Sequence, residues 1–166
     1  ALIGPRGLLN TGLMALFDLY IQKARKRLIE NNVAVKIIGD RERLGPKLQA
    51  AIAQLETATA PGAQMTLQVA VSYGGRDEIL RATRALASKV ATHTLAPGEI
   101  DEATFAAELY TRDQPDPDLV IRTSGEFRIS NFLLWQIAYS EIYVSDVLWP
   151  DFNEARLLEA FADFGG

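Results

Sequence analysis

Residues 118–151 read DLVIRTSGEFRISNFLLWQIAYSEIYVSDVLWPD, and this stretch decides how the rest of the chain is interpreted. It opens with a short apolar run, Leu119 to Ile121, which is typical of a buried strand. Arg122 follows at the point where the strand gives way to the loop-forming residues 123–125. Because ligands bind at the carboxyl ends of strands in open α/β sheets, Arg122 is predicted to face a ligand crevice.

The same stretch places further anion-binding groups close to Arg122. Arg128 follows in the loop, and Ser130-Asn131 is predicted to cap a helix over residues 132–135. Two guanidinium groups, a hydroxyl group and a helix N-terminus together match the oxygens of a diphosphate. One alternative stays open, in which both arginines are surface or structural residues that pair with nearby acids. These acids are Asp116, Asp118 and Glu126.

Helix and strand signals alternate along the first part of the chain. Apolar residues at helical spacing over residues 13–28 are followed by a predicted buried strand from Val33 to Ile38. Asp40 is predicted to cap the next helix, which includes residues 44–55.

The alternation continues to the end of the sequence. A second strand is predicted over residues 65–72. Gly74-Gly75 follow it, where glycine is expected to serve the backbone geometry of a turn, and a helix comes next. An amphipathic helix around residues 157–161 closes the chain. The pattern predicts an α/β fold with a mainly parallel central sheet flanked by helices, and residues 1–166 are interpreted as a single domain.

Composition limits the classes of function. With 48% hydrophobic and 23% charged residues, the 166 residues can bury and cover a sizeable core. A net charge of −4 argues against nucleic acid as a partner. The absence of cysteine is compatible with a cytoplasmic protein, and no apolar run has the length of about 18 residues that a membrane span needs.

Several segments resemble one enzyme family. Residues 118–152 are similar to the signature region of the cis-prenyltransferases, the family typified by bacterial undecaprenyl diphosphate synthase. Residues 69–79 (VAVSYGGRDEI) resemble that family's strand-to-helix turn, and residues 33–40 (VAVKIIGD) resemble an earlier strand. With a helix around residues 13–17, the resemblance covers nearly everything from residue 12 onward. It implies the mixed α/β fold of this family and not the all-helical fold of the trans-prenyltransferases.

The resemblance implies an enzyme that elongates prenyl chains. An allylic diphosphate, with farnesyl diphosphate favoured, loses its diphosphate, and the double bond of isopentenyl diphosphate attacks the freed carbon. Proton loss then leaves a new cis double bond in a polyprenyl diphosphate such as undecaprenyl diphosphate, a lipid carrier for cell-wall synthesis. The product length stays open.

The family also implies roles for individual residues. Arg122, Arg128 and Ser130, with the backbone around Ile129, would bind the diphosphate of isopentenyl diphosphate. Glu141 would contribute to a Mg²⁺ site, where a single carboxylate suffices because Mg²⁺ also takes phosphate and water oxygens.

The family further implies a cytoplasmic homodimer that contacts a membrane transiently, when the lipid product is released. The hydrocarbon chain would occupy an apolar cleft, with the helix over residues 12–31 as a candidate wall.

The sequence departs from the family pattern in three places. The Asp-Gly-Asn loop that carries the family's catalytic aspartate is absent, because Gly4-Pro5-Arg6-Gly7 follows directly after the strand-like start, and the catalytic residue is therefore unknown. Phe127 stands where relatives can carry a histidine near the metal, and phenylalanine cannot bind Mg²⁺. The basic pair expected before Phe-Gly-Gly is also missing from the C-terminal segment.

Two explanations of the missing segments stay open: the 166 residues join parts of a longer protein, or the molecule is truly shortened. The first is favoured, because losing central parallel strands would expose apolar faces and unpaired backbone groups. Two alternatives to an active enzyme remain. One is a non-catalytic relative that binds a partner prenyltransferase. The other is a nucleotide-binding α/β module, disfavoured because neither GxGxxG nor GxxxxGK[ST] occurs.

Overall fold

The computed structural model describes residues 24–164, which fall into two compact units divided between Tyr73 and Gly74. Residues 24–30 are helical and are called α1. The other features predicted before residue 24, including most of the helix over residues 13–28, lie outside the described residues. The single-domain interpretation stays a prediction.

The first unit is built on a parallel strand pair. Strands β1 (Val33–Ile38) and β2 (Met65–Ala70) pair in parallel, and helix α2 (Pro46–Thr59) lies between them in the sequence. This unit contains a cluster of buried apolar side chains, because alternate residues of β1 and one face of α2 turn inward. Its buried members are Val35, Ile37, Leu44, Leu48, Ile52 and Leu55.

Helix α2 begins later than the sequence pattern predicted. Asp40 caps only a short 3-10 turn, Arg41–Arg43, by accepting a hydrogen bond from the backbone N–H of Glu42 at 3.1 Å. The α-helix itself starts at Pro46, whose fixed φ and missing N–H suit the first helical position. The prediction that Asp40 caps this helix is therefore wrong.

The turn after β1 requires glycine. Gly39 has a φ of +122°, and a Cβ atom there would lie 2.1 Å from the carbonyl oxygen of Val71. The close approach lets the backbone N–H of Asp40 donate to Ser72 at 3.1 Å, so that pairing continues past the ends of the strands. Any side chain at position 39 would separate the two segments.

The second unit contains three helices and another parallel pair. These elements are α3 (Gly75–Ala91), α4 (Glu102–Ala106), β3 (Leu119–Arg122), β4 (Glu141–Val144) and α5 (Glu154–Asp163). Strands β3 and β4 pair in parallel. The predicted mixed α/β fold with parallel strands and flanking helices is confirmed, and the described strands form two separate pairs.

The helix predicted over residues 132–135 does not form. Residues 130–139 are a series of turns and one bend, and Ser130, Asn131 and Leu133 all have positive φ, which an α-helix excludes. Asn131 does not cap a helix of its own, because its side chain accepts a hydrogen bond from the first turn of α3. This helix prediction is wrong because a contact distant in sequence outweighs the local pattern.

A buried carboxylate organises the interior of the second unit. Glu78 of α3 is 1% exposed. Its Oε1 accepts from the backbone N–H of Tyr110 at 2.6 Å, and its Oε2 accepts from Gln136 Nε2 at 3.2 Å. The same Gln136 nitrogen donates to Thr111 Oγ1 at 2.9 Å. Glu78 thus joins three segments that are far apart in the sequence.

Candidate anion-binding site

Arg122 occupies the carboxyl end of β3, as the sequence predicts. It lies in register with Val144, the last residue of β4, so that both strands end at the same edge. Its carbonyl oxygen accepts from the N–H of Ser145 at 2.7 Å, and the N–H of Gly125 donates back to Ser145 at 2.9 Å. These bonds fix the backbone on both sides of the arginine.

The two arginines of the predicted site converge on one carboxylate. Nη2 of Arg122 donates to Oε2 of Glu126 at 2.5 Å, and Nη2 of Arg128 donates to Oε1 of the same residue. The side chain of Arg122 is 27% exposed and that of Arg128 is 64% exposed. The structure therefore brings the two guanidinium groups together through an acid that was one of the alternative pairing partners.

The charge on Glu126 is stabilised by this arrangement. The hydrogen bond from Arg122 holds the pKa of the Glu126 carboxyl below its ordinary value, against a smaller opposing effect of desolvation, and the positive charge of Arg128 lowers it further. The three side chains together carry one net positive charge at neutral pH. A guanidinium group has five N–H donors, so each arginine keeps donors beyond the one that binds Glu126.

Ser130 and Ile129 lie in the same loop. Ile129 is 44% exposed, and its carbonyl oxygen accepts from the N–H of Phe132 at 3.3 Å. Ser130 has a left-handed backbone with a φ of 54° and is half-buried. Phe127, between the acid and the second arginine, is 89% exposed and contributes no polar group. The loop thus carries the two arginines, a hydroxyl group and one bridging acid.

Glu141 lies away from the arginines. It is the exposed first residue of β4 and is in register with Leu119, whereas Arg122 is at the other end of the same strand pair. Three residues of strand correspond to about 10 Å. In residues 24–164, no three acidic or histidine side chains lie close enough to hold a metal ion. A single carboxylate such as Glu141 can contribute to a Mg²⁺ site only when waters or phosphate oxygens complete the coordination shell of the metal.

Sequence reasoning assigned Glu126 no active part in the site. A local signal exists, because the acid lies four residues after Arg122 and two before Arg128, within reach of both. The role of Asn131 had no local signal, since its side chain binds Arg76 of α3, which is 55 residues away.

Comparison with known proteins gives one consistent result. The family model described as "Putative undecaprenyl diphosphate synthase" matches residues 10–166. The ditrans,polycis-undecaprenyl-diphosphate synthase ((2E,6E)-farnesyl-diphosphate specific) of Vibrio cholerae is 48% identical over 152 residues, which are 92% of this chain and 61% of that protein. A protein of the same description from Pseudomonas aeruginosa is 48% identical over 154 residues, again covering 61% of its length.

Solved structures resemble the fold as well. The crystal structure of lavandulyl diphosphate synthase from Lavandula x intermedia, in complex with dimethylallyl diphosphate, has a TM-score of 0.87 and 40% identity. The match covers 92% of this chain and 66% of the lavandulyl diphosphate synthase chain. A probable undecaprenyl diphosphate synthase from Campylobacter jejuni has a TM-score of 0.77 and 34% identity. That match covers 92% of this chain and 69% of the Campylobacter jejuni chain.

The chain spans 61% of the length of the two curated relatives described above. No helix within residues 24–164 is long and apolar enough to cross a membrane.

Proposed function

Because this chain belongs to the undecaprenyl diphosphate synthase family of prenyltransferases, we propose that it binds isopentenyl diphosphate for cis-prenyl chain elongation. The observation that carries the proposal is the convergence of Arg122 and Arg128 on Glu126, in a loop that follows a strand end. Two guanidinium groups held at the spacing of one carboxylate are suited to an anion with several oxygens.

The proposed binding mode uses the loop in sequence order. Arg122 and Arg128 donate to the diphosphate through the N–H groups that Glu126 does not occupy, Ser130 adds a hydroxyl donor, and the backbone around Ile129 completes the contact. Arg122 is the stronger anchor because its side chain is the less exposed of the two arginines. Water screens an exposed charge more than a half-buried one.

The proposed reaction joins two diphosphate substrates. The C1–oxygen bond of the allylic substrate breaks, its diphosphate leaves, the double bond of isopentenyl diphosphate forms the new carbon–carbon bond, and a proton is lost to leave a cis double bond. We take the allylic substrate to be farnesyl diphosphate, because relatives at 48% identity are described as specific for it. The product is a polyprenyl diphosphate such as undecaprenyl diphosphate.

A magnesium ion belongs to the proposal as the group that neutralises diphosphate charge. Glu141 is proposed as one oxygen ligand, with waters and substrate phosphate as the others. Glu141 begins β4 whereas Arg122 ends β3, so this carboxylate is not proposed to contact the same ligand atoms as the arginines.

The setting proposed for the reaction is a cytoplasmic homodimer that touches the membrane when the lipid leaves. Support comes from large apolar side chains that are exposed in the second unit and would be covered by a second copy or by lipid. They include Phe127, Tyr139, Ile142, Leu148 and Trp149.

A second candidate is a non-catalytic subunit that binds a partner prenyltransferase. It is favoured by one observation: the Asp-Gly-Asn loop that supplies the family's catalytic aspartate does not occur in these 166 residues. Such a subunit would still bind a diphosphate through Arg122 and Arg128.

The test separates binding from turnover. Calorimetric titration of the chain with isopentenyl diphosphate should show saturable binding that Arg122→Ala weakens and that Arg84→Ala, a change at an exposed arginine of α3, leaves unchanged. If Arg122→Ala folds and binds as tightly as the unaltered chain, the proposed site is wrong. The same samples are then given radiolabelled isopentenyl diphosphate, farnesyl diphosphate and Mg²⁺. Labelled polyprenyl product supports the enzyme, whereas binding without product supports the non-catalytic subunit.

A further inference from the structure

The loop that carries Arg128 and Ser130 is attached to helix α3 by its next residue. We infer that Asn131 is a positioning residue, which holds this loop against the first turn of α3, and that Gly75 is the spacer that makes the contact possible. The inference rests on the proposed function, since it explains how the diphosphate-binding groups are held in place.

Asn131 supplies two acceptors to the start of α3. Its carbonyl oxygen accepts from the N–H of Gly75 at 2.7 Å, and its Oδ1 accepts from the N–H of Arg76 at 2.9 Å. The helix has no side-chain cap of its own, because its N-cap residue is Gly74. Free N–H groups at a helix start need acceptors, so the contact satisfies α3 while it fixes the loop.

The two glycines leave no room for a side chain. A Cβ atom at Gly75 would lie 2.8 Å from Cγ of Leu134 and 3.2 Å from the carbonyl oxygen of Asn131. A Cβ atom at Gly74 would lie 2.9 Å from Nδ2 of Asn131. Contacts below 3.0 Å cannot persist, so a side chain at position 75 must displace Leu134, and it also crowds the backbone of Asn131 in the loop.

The loop backbone depends on this attachment. Ser130 and Asn131 have φ values of 54° and 63° in the left-handed region. Asparagine enters that region readily but serine does so less, so the Ser130 conformation is held by its surroundings. Without the contact at Asn131, the backbone is free to return to negative φ, which turns Ser130 and moves Arg128.

The same geometry occupies two N–H groups at this helix end. The N–H groups of Gly75 and Arg76 point at Asn131 and are not available to a diphosphate. The first turn of α3 therefore acts on the site through the loop.

The test uses a steric change remote from the ligand. Gly75→Ala should raise helix propensity, yet it should weaken the binding of inorganic pyrophosphate and isopentenyl diphosphate about tenfold, because the binding groups are displaced. Leu134→Ala in the same chain removes the nearest clashing atom and should restore part of the lost affinity. The matched control is Gly98→Ala, since a Cβ at Gly98 meets nothing within 4 Å.

A second readout does not require a ligand. Amide hydrogen exchange at Arg76 should accelerate in Asn131→Ala and return towards the original rate in Asn131→Asp, which keeps an acceptor oxygen and suits a helix start. If Asn131 had a purely structural role, amide exchange at Arg76 would still accelerate in Asn131→Ala, but the affinity for pyrophosphate would be unchanged in Gly75→Ala.

The outcomes distinguish the inference from the proposed function. Unchanged affinity in Gly75→Ala, or no recovery on adding Leu134→Ala, overturns the positioning role while a loss in Arg122→Ala still supports the site. If the unaltered chain binds no diphosphate, the proposed function fails, and with it the role of Asn131 in binding. Unaltered exchange at Arg76 in Asn131→Ala would overturn the attachment itself.

Discussion

Glu126 binds Arg122 through a 2.5 Å hydrogen bond and binds Arg128 through its other carboxylate oxygen. Each guanidinium group thereby has a fixed neighbour before any ligand arrives. Preorganised donors lose less entropy on binding than mobile ones, which favours recognition of a diphosphate by this loop. The acid that fixes the arginines also repels the ligand charge, so its protonation state matters for both stability and binding.

We expect Glu126→Gln to remove a pH-dependent part of the stability. The pKa of Glu126 is lowered in the folded chain, chiefly by Arg122, so its contribution is fully present above the unfolded pKa of about 4.3 and is lost as the pH falls through the lower folded pKa. The difference in free energy of unfolding between the original chain and Glu126→Gln should therefore narrow as the pH falls below about 4.3. Urea denaturation from pH 3 to pH 7 measures it.

The control for this pH scan is the chain with both Arg122→Ala and Arg128→Ala. In that background the cause of the shift is gone, so adding Glu126→Gln should produce a difference that varies little with pH. A difference of the same size and pH dependence in both backgrounds would contradict the arginine–glutamate coupling.

The two arginines should contribute unequally to diphosphate binding. Arg122→Ala should weaken isopentenyl diphosphate binding by about 1.5 to 3 kcal/mol, the usual value of a hydrogen bond to a charged group. Arg128→Ala should cost less, because its side chain is 64% exposed against 27% for Arg122. Calorimetric titration of the two variants decides the order, and an equal or larger loss in Arg128→Ala would show that exposure does not set the contribution here.

Glu141→Gln should raise the Mg²⁺ concentration needed for activity in any preparation that forms product. An amide is a weaker ligand for a hard cation than a carboxylate is. A magnesium titration of product formation measures the change, with Glu154→Gln, at the exposed start of α5, as the control. Identical titrations for the original chain and Glu141→Gln would remove Glu141 from the metal site.

The sequence predicts the elements whose signals are local. The apolar run Leu119 to Ile121 identifies β3, and its position correctly places Arg122 at the strand end. The start of α2 was predicted wrongly at Asp40, although a local signal for the true start exists, because Pro46 suits a first helical position.

Other features depend on contacts between distant residues. The apolar run from Phe132 to Trp135 fits a helix locally, yet Asn131 binds the start of α3, and three nearby residues adopt positive φ. Strand β4, Glu141–Val144, was not predicted, since four residues within a longer aromatic stretch give no clear period. The central role of Glu78 was missed because burial and partners of a charged residue cannot be inferred from its place in a helix.

Glu78→Gln should destabilise the chain by about 1 to 3 kcal/mol, although the side chain keeps its volume. The carboxylate accepts from Tyr110 and from Gln136, whereas an amide must turn its NH₂ group towards one of these donors. Gln136→Glu in the same chain should restore much of the loss, because the new pair again offers one donor and one acceptor. Urea denaturation of the single and double variants measures both steps. A double variant less stable than either single variant would show that the buried network is not organised by this pair.

Thr59 of helix α2 accepts a hydrogen bond from the backbone of β1, and Thr59→Val should lower the stability by removing that bond. Its Oγ1 accepts from the N–H of Val35 at 3.0 Å and donates to Leu55 at 2.9 Å, and the residue is 2% exposed. Valine has nearly the same shape, so the change removes the acceptor without opening a cavity, and it should cost about 1 to 3 kcal/mol. Thr57→Val, where the exposed hydroxyl binds only Ala53 in the same helix, should stay within about 0.5 kcal/mol of the original stability. Amide exchange at Val35 should accelerate in the first variant alone; equal exchange in both would mean that the edge of β1 does not depend on Thr59.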